Sequence, residues 1–174
     1  WGETTGYNEG KANFAWSTYA FGSEYNQIMK YCNSSSYGKD GFTDALTVLL
    51  PEDDAAYAAL GGKFRMPTSE ELDELKNSSN CDWSWQDNYN STGIKGYFVT
   101  SKKSGYTDKS IFLPAAGFLK SSFDRVGENG NYWSSSLYTT ESYYAYYVWF
   151  KSGETQIYGN TRYVGHPVRP VYKE

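Results

Sequence analysis

A concentration of aromatic side chains in residues 131–174 constrains the fold of this chain most. These residues include nine of the eighteen tyrosines, together with Trp133, Trp149 and Phe150. Aromatic residues favour strands, and residues 145–151 are the strongest predicted strand of the chain. Tyrosine combines a flat apolar face with a hydroxyl and has only two χ angles to order, which is why binding surfaces are rich in it. We therefore predict that this quarter carries a recognition surface.

Alternation with a period of two divides the predicted strand into two faces. The two sets are Tyr146, Val148 and Phe150 on one face and Tyr147, Trp149 and Lys151 on the other. The second set carries the only charge of the strand, so we predict that it faces solvent while the first set packs inward. An exposed aromatic face is unfavourable in water unless it binds something. The alternative is that these aromatic residues only pack against one another.

The predicted binding surface continues from this face into the segments on either side. The ligand-binding residues predicted from the sequence are Tyr138, Thr140, Glu141, Tyr144, Tyr147, Trp149, Lys151, Glu154, Gln156, Tyr158, Asn160 and Tyr163. We expect Tyr147, Trp149 and Tyr158 to be the anchors, because large aromatic side chains carry much of the binding energy at interfaces.

The rest of the chain predicts one α+β domain. Its 174 residues suffice for a core, and seventeen glycines indicate many turns and few long helices. Residues 1–40 are predicted to be loops with at most one short helix, at residues 25–31. Helices are predicted at residues 51–62 and 68–76 and strands from Gly96 onward, and this order is typical of the α+β class.

Capping residues mark both predicted helices. Thr68 and Glu71 form a capping box at the start of the second helix. Glu52, Asp53 and Asp54 crowd the first turn of the first helix, where the helix dipole favours anions. We interpret these acids as capping residues. The alternative is a cation site, which would need further oxygen ligands that the sequence does not reveal.

Several shorter strands and turns are also predicted. The further strands are residues 97–100, 110–114, 132–136 and 168–171, and the first two are predicted to form a hairpin across the polar loop that contains Gly105. A polar turn through Gly159 is expected to follow the strand at residues 145–151. Trp83 and Trp85 alternate with polar residues, which predicts a half-buried strand or turn. The alternative is that these tryptophans hold a sugar together with the flanking acids Asp82 and Asp87.

No recognisable catalytic apparatus is present. His166 is the only histidine, so it has no second histidine with which to share a metal. Cys32 and Cys81 lack the spacing of a metal site. A disulfide between them and a pair of buried free thiols are both open interpretations. We predict no enzymatic activity and no cofactor.

The charge and hydropathy of the sequence argue against two classes of partner, nucleic acids and the membrane interior. The net charge is −4 without a cluster of basic residues, which argues against nucleic acid. No apolar run approaches the roughly 18 residues that a membrane helix needs, so we predict no membrane insertion. Trp1 leads directly into polar sequence, so no signal peptide is predicted in this segment.

Motifs along nearly the whole chain resemble one family. The run Gly-Gly-Lys-Phe-Arg-Met-Pro-Thr at residues 61–68, with Glu71 three residues later, is similar to the signature Gly-Gly-x-Trp-Arg-Met-Pro-Thr-x-x-Glu of the Fibrobacter succinogenes major paralogous domain. Further matching segments lie, in the family's order, at residues 1–5, 51–56, 81–85, 110–117, 132–136 and 168–171. The resemblance implies a single C-type-lectin-like domain over residues 1–174, with two short helices and antiparallel sheets.

The resemblance also concerns the aromatic quarter. In variable proteins of diversity-generating retroelements from gut Bacteroidetes or their phages, a diversified segment lies between a Trp-Ser-Ser-Ser block and a Val-Arg-Pro-Val block. Here these blocks are residues 133–136 and 168–171. The resemblance thus implies that residues 133–171 are a variable ligand-binding region. The implied protein is an adhesin or receptor at a cell surface, outside the cell or on a phage particle, and its ligand is a protein or glycan.

Two alternatives and two departures accompany this resemblance. The fold is shared with formylglycine-generating enzymes, but Cys32 and Cys81 both precede the region where their reactive cysteine falls. A purely structural domain of a surface or pilus assembly is the other alternative. The family's first strand, which pairs with the last, is missing before Trp1, and His166-Pro167 replaces an apolar or aromatic residue and a serine. The calcium ligands of true C-type lectins are not recognisable.

Overall fold

The computed structural model describes residues 1–7 and 9–173 of the chain. Its elements, in chain order, are α1 (Ala55–Ala59), β1 (Phe64–Arg65), α2 (Ser69–Lys76), β2 (Cys81–Gln86), β3 (Gly96–Ser101), β4 (Ser110–Pro114), β5 (Phe118–Leu119), β6 (Phe123–Asp124), β7 (Gly130–Leu137), β8 (Tyr144–Lys151), β9 (Glu154–Thr161) and β10 (Val171–Tyr172). Single 3₁₀ turns lie at Trp16–Thr18, Lys39–Gly41, Pro51–Asp53 and Tyr89–Ser91.

All strand pairs among these elements are antiparallel, so the predicted α+β class is confirmed. The strands form sheets in the orders β1-β10, β2-β3-β4, β5-β6 and β7-β8-β9. The predicted hairpin of residues 97–100 and 110–114 is the β3-β4 pair. The terminal strand β10 pairs with β1 through Phe64↔Tyr172 and Arg65↔Val171. This pairing occupies one edge of β10.

The predicted capping box is confirmed at α2, whereas only Asp54 of the three predicted acids caps the first helix, which is shorter than expected. Thr68 accepts from the Glu71 amide while the Glu71 carboxylate accepts from the Thr68 amide, which is the predicted capping box of α2. Asp54 caps α1 by accepting from the amides of Ala56 and Tyr57. Because Asp54 adopts extended backbone angles, the 3₁₀ turn before it and α1 are separate, and no single helix covers residues 51–62.

Sheet β7-β8-β9 lies between two apolar clusters. Trp133 and Tyr147 belong to the cluster on one face. Tyr132, Val148 and Phe150 belong to the cluster on the other, which also receives residues of α2, β3 and β4. Every residue of β7 is buried. Complete burial of a side chain such as Phe150 stabilises the folded state by roughly 1.5–3 kcal/mol. Burial on both faces therefore holds strands β7 and β8 of this sheet firmly in place.

Two local predictions are wrong, and the one short helix that was considered for residues 25–31 is absent. Residues 25–31 contain no helix, because Ile28 instead bridges to Gly22 and Gly38 in extended conformation. The chain does not turn at Gly159, which lies inside β9. The last strand is limited to Val171–Tyr172 and excludes residues 168–170. In each case tertiary packing overrides a weak local signal.

The fully buried Arg162 joins three parts of the chain. Its guanidinium donates to the Tyr19 hydroxyl at 2.8 Å and to the carbonyl oxygens of Lys30, Tyr31 and Ser142 at 2.9–3.0 Å. It also lies 4.8 Å from the Trp1 ring centroid. Among the described residues, no carboxylate forms an ion pair with it. Carbonyl dipoles and aromatic faces therefore replace the usual counter-ion.

Candidate functional site

The β8-β9 hairpin places most of the predicted ligand-binding residues on one sheet face. A two-residue turn at Ser152-Gly153 joins the strands, and Gly153 has a positive φ of +81°, a conformation that favours glycine. The register pairs Ala145 with Asn160, Tyr147 with Tyr158, Trp149 with Gln156, and Lys151 with Glu154. Directly paired residues of a strand pair point to the same side. The hairpin face is defined here as Trp149, Lys151, Glu154, Gln156, Tyr158 and Asn160.

Tyr147 does not belong to the exposed part of this face, and its predicted exposure is wrong. Its side chain is only 9% exposed. The ring contacts Trp133 and His166, with ring centroids 5.8 and 4.8 Å apart. Residues 164–167, which follow β9, cover this part of the sheet: the indole N–H of Trp133 donates to the Val164 carbonyl. Burial raises the pKa of Tyr147 to about 12.

Exposure on the hairpin face increases from β8 towards the turn and the β9 edge. Trp149 is half-buried, Tyr158 is 46% exposed and Lys151 is exposed. The rings of Trp149 and Tyr158 lie 6.0 Å apart. Lys151 places its ammonium 5.5 Å from the Trp149 ring and 3.2 Å from a carboxylate oxygen of Glu154. The face therefore presents two adjacent aromatic rings beside an ion pair.

Other predicted site residues lie on the opposite face of the same sheet. The Tyr138 ring packs over Gly159, and its centroid is 4.8 Å from that of Tyr146 and 6.0 Å from that of Tyr144. Tyr143 continues this contact network towards Tyr25 and Tyr37 from the first part of the chain. The tyrosine cluster is defined here as Tyr25, Tyr37, Tyr138, Tyr143, Tyr144 and Tyr146. The twelve predicted residues therefore do not form one continuous patch.

The remaining predicted residues lie around the tyrosine cluster or apart from it. Thr140 is exposed in the β7-β8 loop. Glu141 accepts a 2.9 Å hydrogen bond from the Tyr143 hydroxyl. Burial raises the pKa of Tyr143, and the bond to Glu141 adds to this. Tyr163 packs against Trp16, with ring centroids 5.1 Å apart, and so belongs to neither surface.

Sequence reasoning missed the contributions of Tyr143, Tyr25 and Tyr37. Tyr143 directly precedes Tyr144, which was predicted to bind the ligand. Its position beside Tyr144 was therefore the sequence signal that could have identified it. Tyr25 and Tyr37 lie more than one hundred residues away along the chain, and nothing local connects them with Tyr143. Only the packing of the first part of the chain onto the β7-β8 loop brings them together. One contact of this packing is the hydrogen bond that Asn33 accepts from the Ser142 hydroxyl of the loop.

His166 lies between the hairpin face and the core. Its ring stacks on Trp133 with centroids 4.1 Å apart, and its Nε2 lies 3.1 Å from Nδ2 of Asn160. Burial, with smaller contributions from the amino group of Trp1 and from Lys120, holds the pKa of His166 well below its usual range. The imidazole is therefore neutral at physiological pH. Its ring packs against that of Tyr147, as part of the segment that covers Tyr147.

The two cysteines are free thiols, Cys32 buried and Cys81 half-buried. Burial raises the pKa of Cys81. The predicted strand at Trp83 and Trp85 is confirmed as part of β2, where Trp83 donates its indole N–H to the Leu75 carbonyl. Trp85 donates to Asp87 at 3.1 Å, whereas Asp82 is exposed and pairs with a lysine.

Asp53 and Asp54 are both held by protein groups. Asp53 accepts from the Lys30 ammonium at 2.5 Å and from the Tyr31 hydroxyl. Asp54 accepts from the Met66 amide in addition to capping α1. Within residues 1–7 and 9–173, no group of three or more His, Cys, Asp or Glu side chains is arranged to hold a metal ion.

Comparison with known proteins gives no relative. No family model matches the chain, and neither a curated protein nor a solved structure matches it. In the described part of the chain, no helix is long and apolar enough to cross a membrane. The functional argument therefore depends on the geometry of the hairpin face and of the tyrosine cluster.

Proposed function

We propose that this protein is a non-catalytic ligand-binding module of the adhesin or receptor type, which recognises a protein or glycan through its hairpin face. The observation that carries this proposal is the half-buried Trp149 ring next to the exposed Tyr158 ring, beside Lys151 and Glu154 on one hairpin. Aromatic rings bind sugar faces and protein side chains alike, and the flanking ion pair and amides offer hydrogen bonds.

The packing behind the hairpin face makes it rigid, as a binding surface requires. Strand β8 is hydrogen-bonded on both sides, and its inner residues Val148 and Phe150 are at most 1% exposed. A rigid platform reduces the entropy lost on binding, because the anchoring side chains are already positioned. The face therefore has the preorganisation expected of a recognition surface.

The fold and the family remain part of the proposal. We propose a C-type-lectin-like fold, related to the Fibrobacter succinogenes major paralogous domain. The antiparallel β10 strand, the two short helices and the loop-rich organisation support it. The Trp-Ser-Ser-Ser block forms part of the buried strand β7, and both the hairpin face and most of the tyrosine cluster lie between this block and the Val-Arg-Pro-Val block. This distribution suits a retroelement-diversified segment displayed at a cell surface or on a phage particle.

A purely structural domain is the second candidate, and the burial of Tyr147 favours it. One of the three predicted anchors packs in the core, and the tyrosine cluster is a network of mutual ring contacts. A structural domain uses such contacts for stability alone. The two functions differ in what happens to ligand binding when the side chains of Trp149 and Tyr158 are truncated.

The test combines a binding screen with truncation of the Trp149 and Tyr158 side chains. The whole chain is applied to an array of defined glycans and purified bacterial surface proteins. For any hit, the double variant Trp149→Ala, Tyr158→Ala is expected to bind at least about tenfold more weakly, because truncating anchoring aromatics costs roughly 2 kcal/mol or more. Tyr106→Ala is the control, since Tyr106 is 62% exposed in the β3-β4 loop. Unchanged binding in the double variant contradicts the proposal.

A further inference from the structure

The hairpin face contains polar groups that the protein itself occupies and polar groups that it leaves free. Lys151 and Glu154 pair with each other at 3.2 Å. Asn160 is occupied by both of its side-chain groups. Its oxygen accepts from the Thr161 amide at 2.8 Å, and its nitrogen lies 3.1 Å from Nε2 of His166. These residues therefore have partners before any ligand arrives.

Gln156 and Tyr158 carry the free polar groups of the hairpin face. Among the described residues, neither the Gln156 amide nor the Tyr158 hydroxyl has a hydrogen-bond partner. Both residues lie beside Trp149: Gln156 is its direct partner across the two strands, and the Tyr158 ring centroid is 6.0 Å from that of Trp149. An amide and a phenol can each both donate and accept. They therefore suit a ligand whose polar groups do the same.

The indole N–H of Trp149 is occupied by the protein. It donates to the side-chain oxygen of Asn129 at 3.2 Å, in the orientation of the Asn129 amide whose nitrogen also donates to the Glu128 carbonyl at 3.2 Å. The reverse orientation would place oxygen against oxygen and nitrogen against an N–H, so the hydrogen-bond network assigns the amide. Trp149 consequently offers a ligand only the exposed part of its ring.

Asn129 is itself fixed through its backbone, in the turn before β7. Its backbone N–H donates to the Arg125 carbonyl at 3.0 Å, and its carbonyl accepts from the Gly117 amide at 2.7 Å. A hydrogen bond from a fixed group restricts rotation of the Trp149 ring. This restriction lowers the entropy that the anchor would lose on binding.

We propose that Asn129 is a positioning residue of the hairpin face, which holds Trp149 so that a sugar packs its C–H side on the indole and hydrogen-bonds to Gln156 and Tyr158. A sugar ring combines apolar C–H groups with hydroxyls that both donate and accept. Protein hot spots, by contrast, are typically desolvated pockets, whereas Tyr158 is 46% exposed on an open pair of strands. This inference rests on the proposed function of the hairpin face and adds a positioning residue and a ligand class to it.

Hydrogen exchange of the Trp149 indole tests the positioning contact without a ligand. In protein labelled with ¹⁵N-tryptophan, the Trp149 signal is identified by its loss in Trp149→Phe. We expect its N–H to exchange about tenfold faster in Asn129→Leu, which has no acceptor, than in the wild type. Asn129→Asp keeps an acceptor oxygen and should retain slow exchange. Should the leucine variant not fold, Asn129→Ala gives the same comparison. Equal exchange in the wild type and the variant without an acceptor overturns the positioning role.

Binding of the whole chain to an array of defined glycans tests the ligand class. For a glycan hit, we expect about tenfold weaker binding by Asn129→Leu and binding within about twofold of the wild type by Asn129→Asp. The glycan should shift the side-chain amide signal of Gln156, while the Trp149 N–H stays slow to exchange. An array on which no glycan binds overturns the sugar assignment. So does binding confined to proteins and unchanged after enzymatic removal of their glycans.

The variants also distinguish failure of this inference from failure of the proposed function. If the double variant Trp149→Ala, Tyr158→Ala binds like the wild type, the hairpin face is not the binding surface and the proposed function fails. If that double variant loses binding while Asn129→Leu binds like the wild type, the hairpin face stands and the positioning role of Asn129 is overturned.

Discussion

At the scale of single residues, the least conventional feature is an arginine buried without a carboxylate. Arg162 is fully buried, yet its donors reach only a hydroxyl and three carbonyl oxygens. These acceptors belong to the first part of the chain and to the β7-β8 loop. The same loop carries Tyr143 of the tyrosine cluster. Arg162 therefore connects the end of β9 with the segments that complete this cluster.

Arg162→Met is expected to lower the free energy of unfolding by on the order of 3 kcal/mol, because several buried acceptors lose their donors together. Urea denaturation monitored by tryptophan fluorescence measures the change. The exposed Arg125, which pairs with Glu128, offers the matched control Arg125→Met. We expect that control to unfold at nearly the wild-type urea concentration. Equal effects of the two substitutions would show that the buried hydrogen bonds are not what stabilises this region.

At the scale of elements, the alternation of residues in β8 correctly predicted which side chains share a sheet face. It did not predict which of them another segment of the chain buries. Tyr147, Trp149 and Lys151 do share a face with their β9 partners. Local sequence could not reveal that residues 164–167 fold back over Tyr147, because that contact depends on the path of the chain after β9. The turn after β8 was predicted at the wrong glycine. It lies at Ser152-Gly153, a dipeptide typical of turns, and not at Gly159.

Position 159 in β9 is occupied by glycine because the ring of Tyr138, which follows β7, leaves no room for a side chain there. A Cβ atom there would lie 2.8 Å from Cδ2 of Tyr138. Gly159→Ala should therefore destabilise the protein by about 1 kcal/mol while displacing the Tyr138 ring. Combining it with Tyr138→Ala should remove most of that loss, since glycine itself is unfavourable in strands. Thermal or urea unfolding of the four proteins measures the coupling, and strictly additive effects would rule out the contact.

At the scale of the whole molecule, the sequence predicted best those elements that depend on residues close together along the chain. The capping box at Thr68, the α+β order of the elements and the β3-β4 hairpin were all predictable for this reason. Long-range packing was not predictable: it divides the predicted patch between two sheet faces and joins Tyr25 to Tyr143. It also brings the side chain of Asn129, in the turn before β7, to the indole of Trp149.

The central claim is that the hairpin face, rather than the tyrosine cluster behind it, contacts the ligand. Hydroxyl-radical footprinting of the free and ligand-bound protein tests this claim directly, because it compares side-chain exposure residue by residue. With a glycan or protein identified in the array screen, we expect protection of Trp149 and Tyr158, while the labelling of Tyr138 and Tyr144 stays constant. Protection confined to the tyrosine cluster, with Trp149 and Tyr158 labelled as in the free protein, would contradict the account.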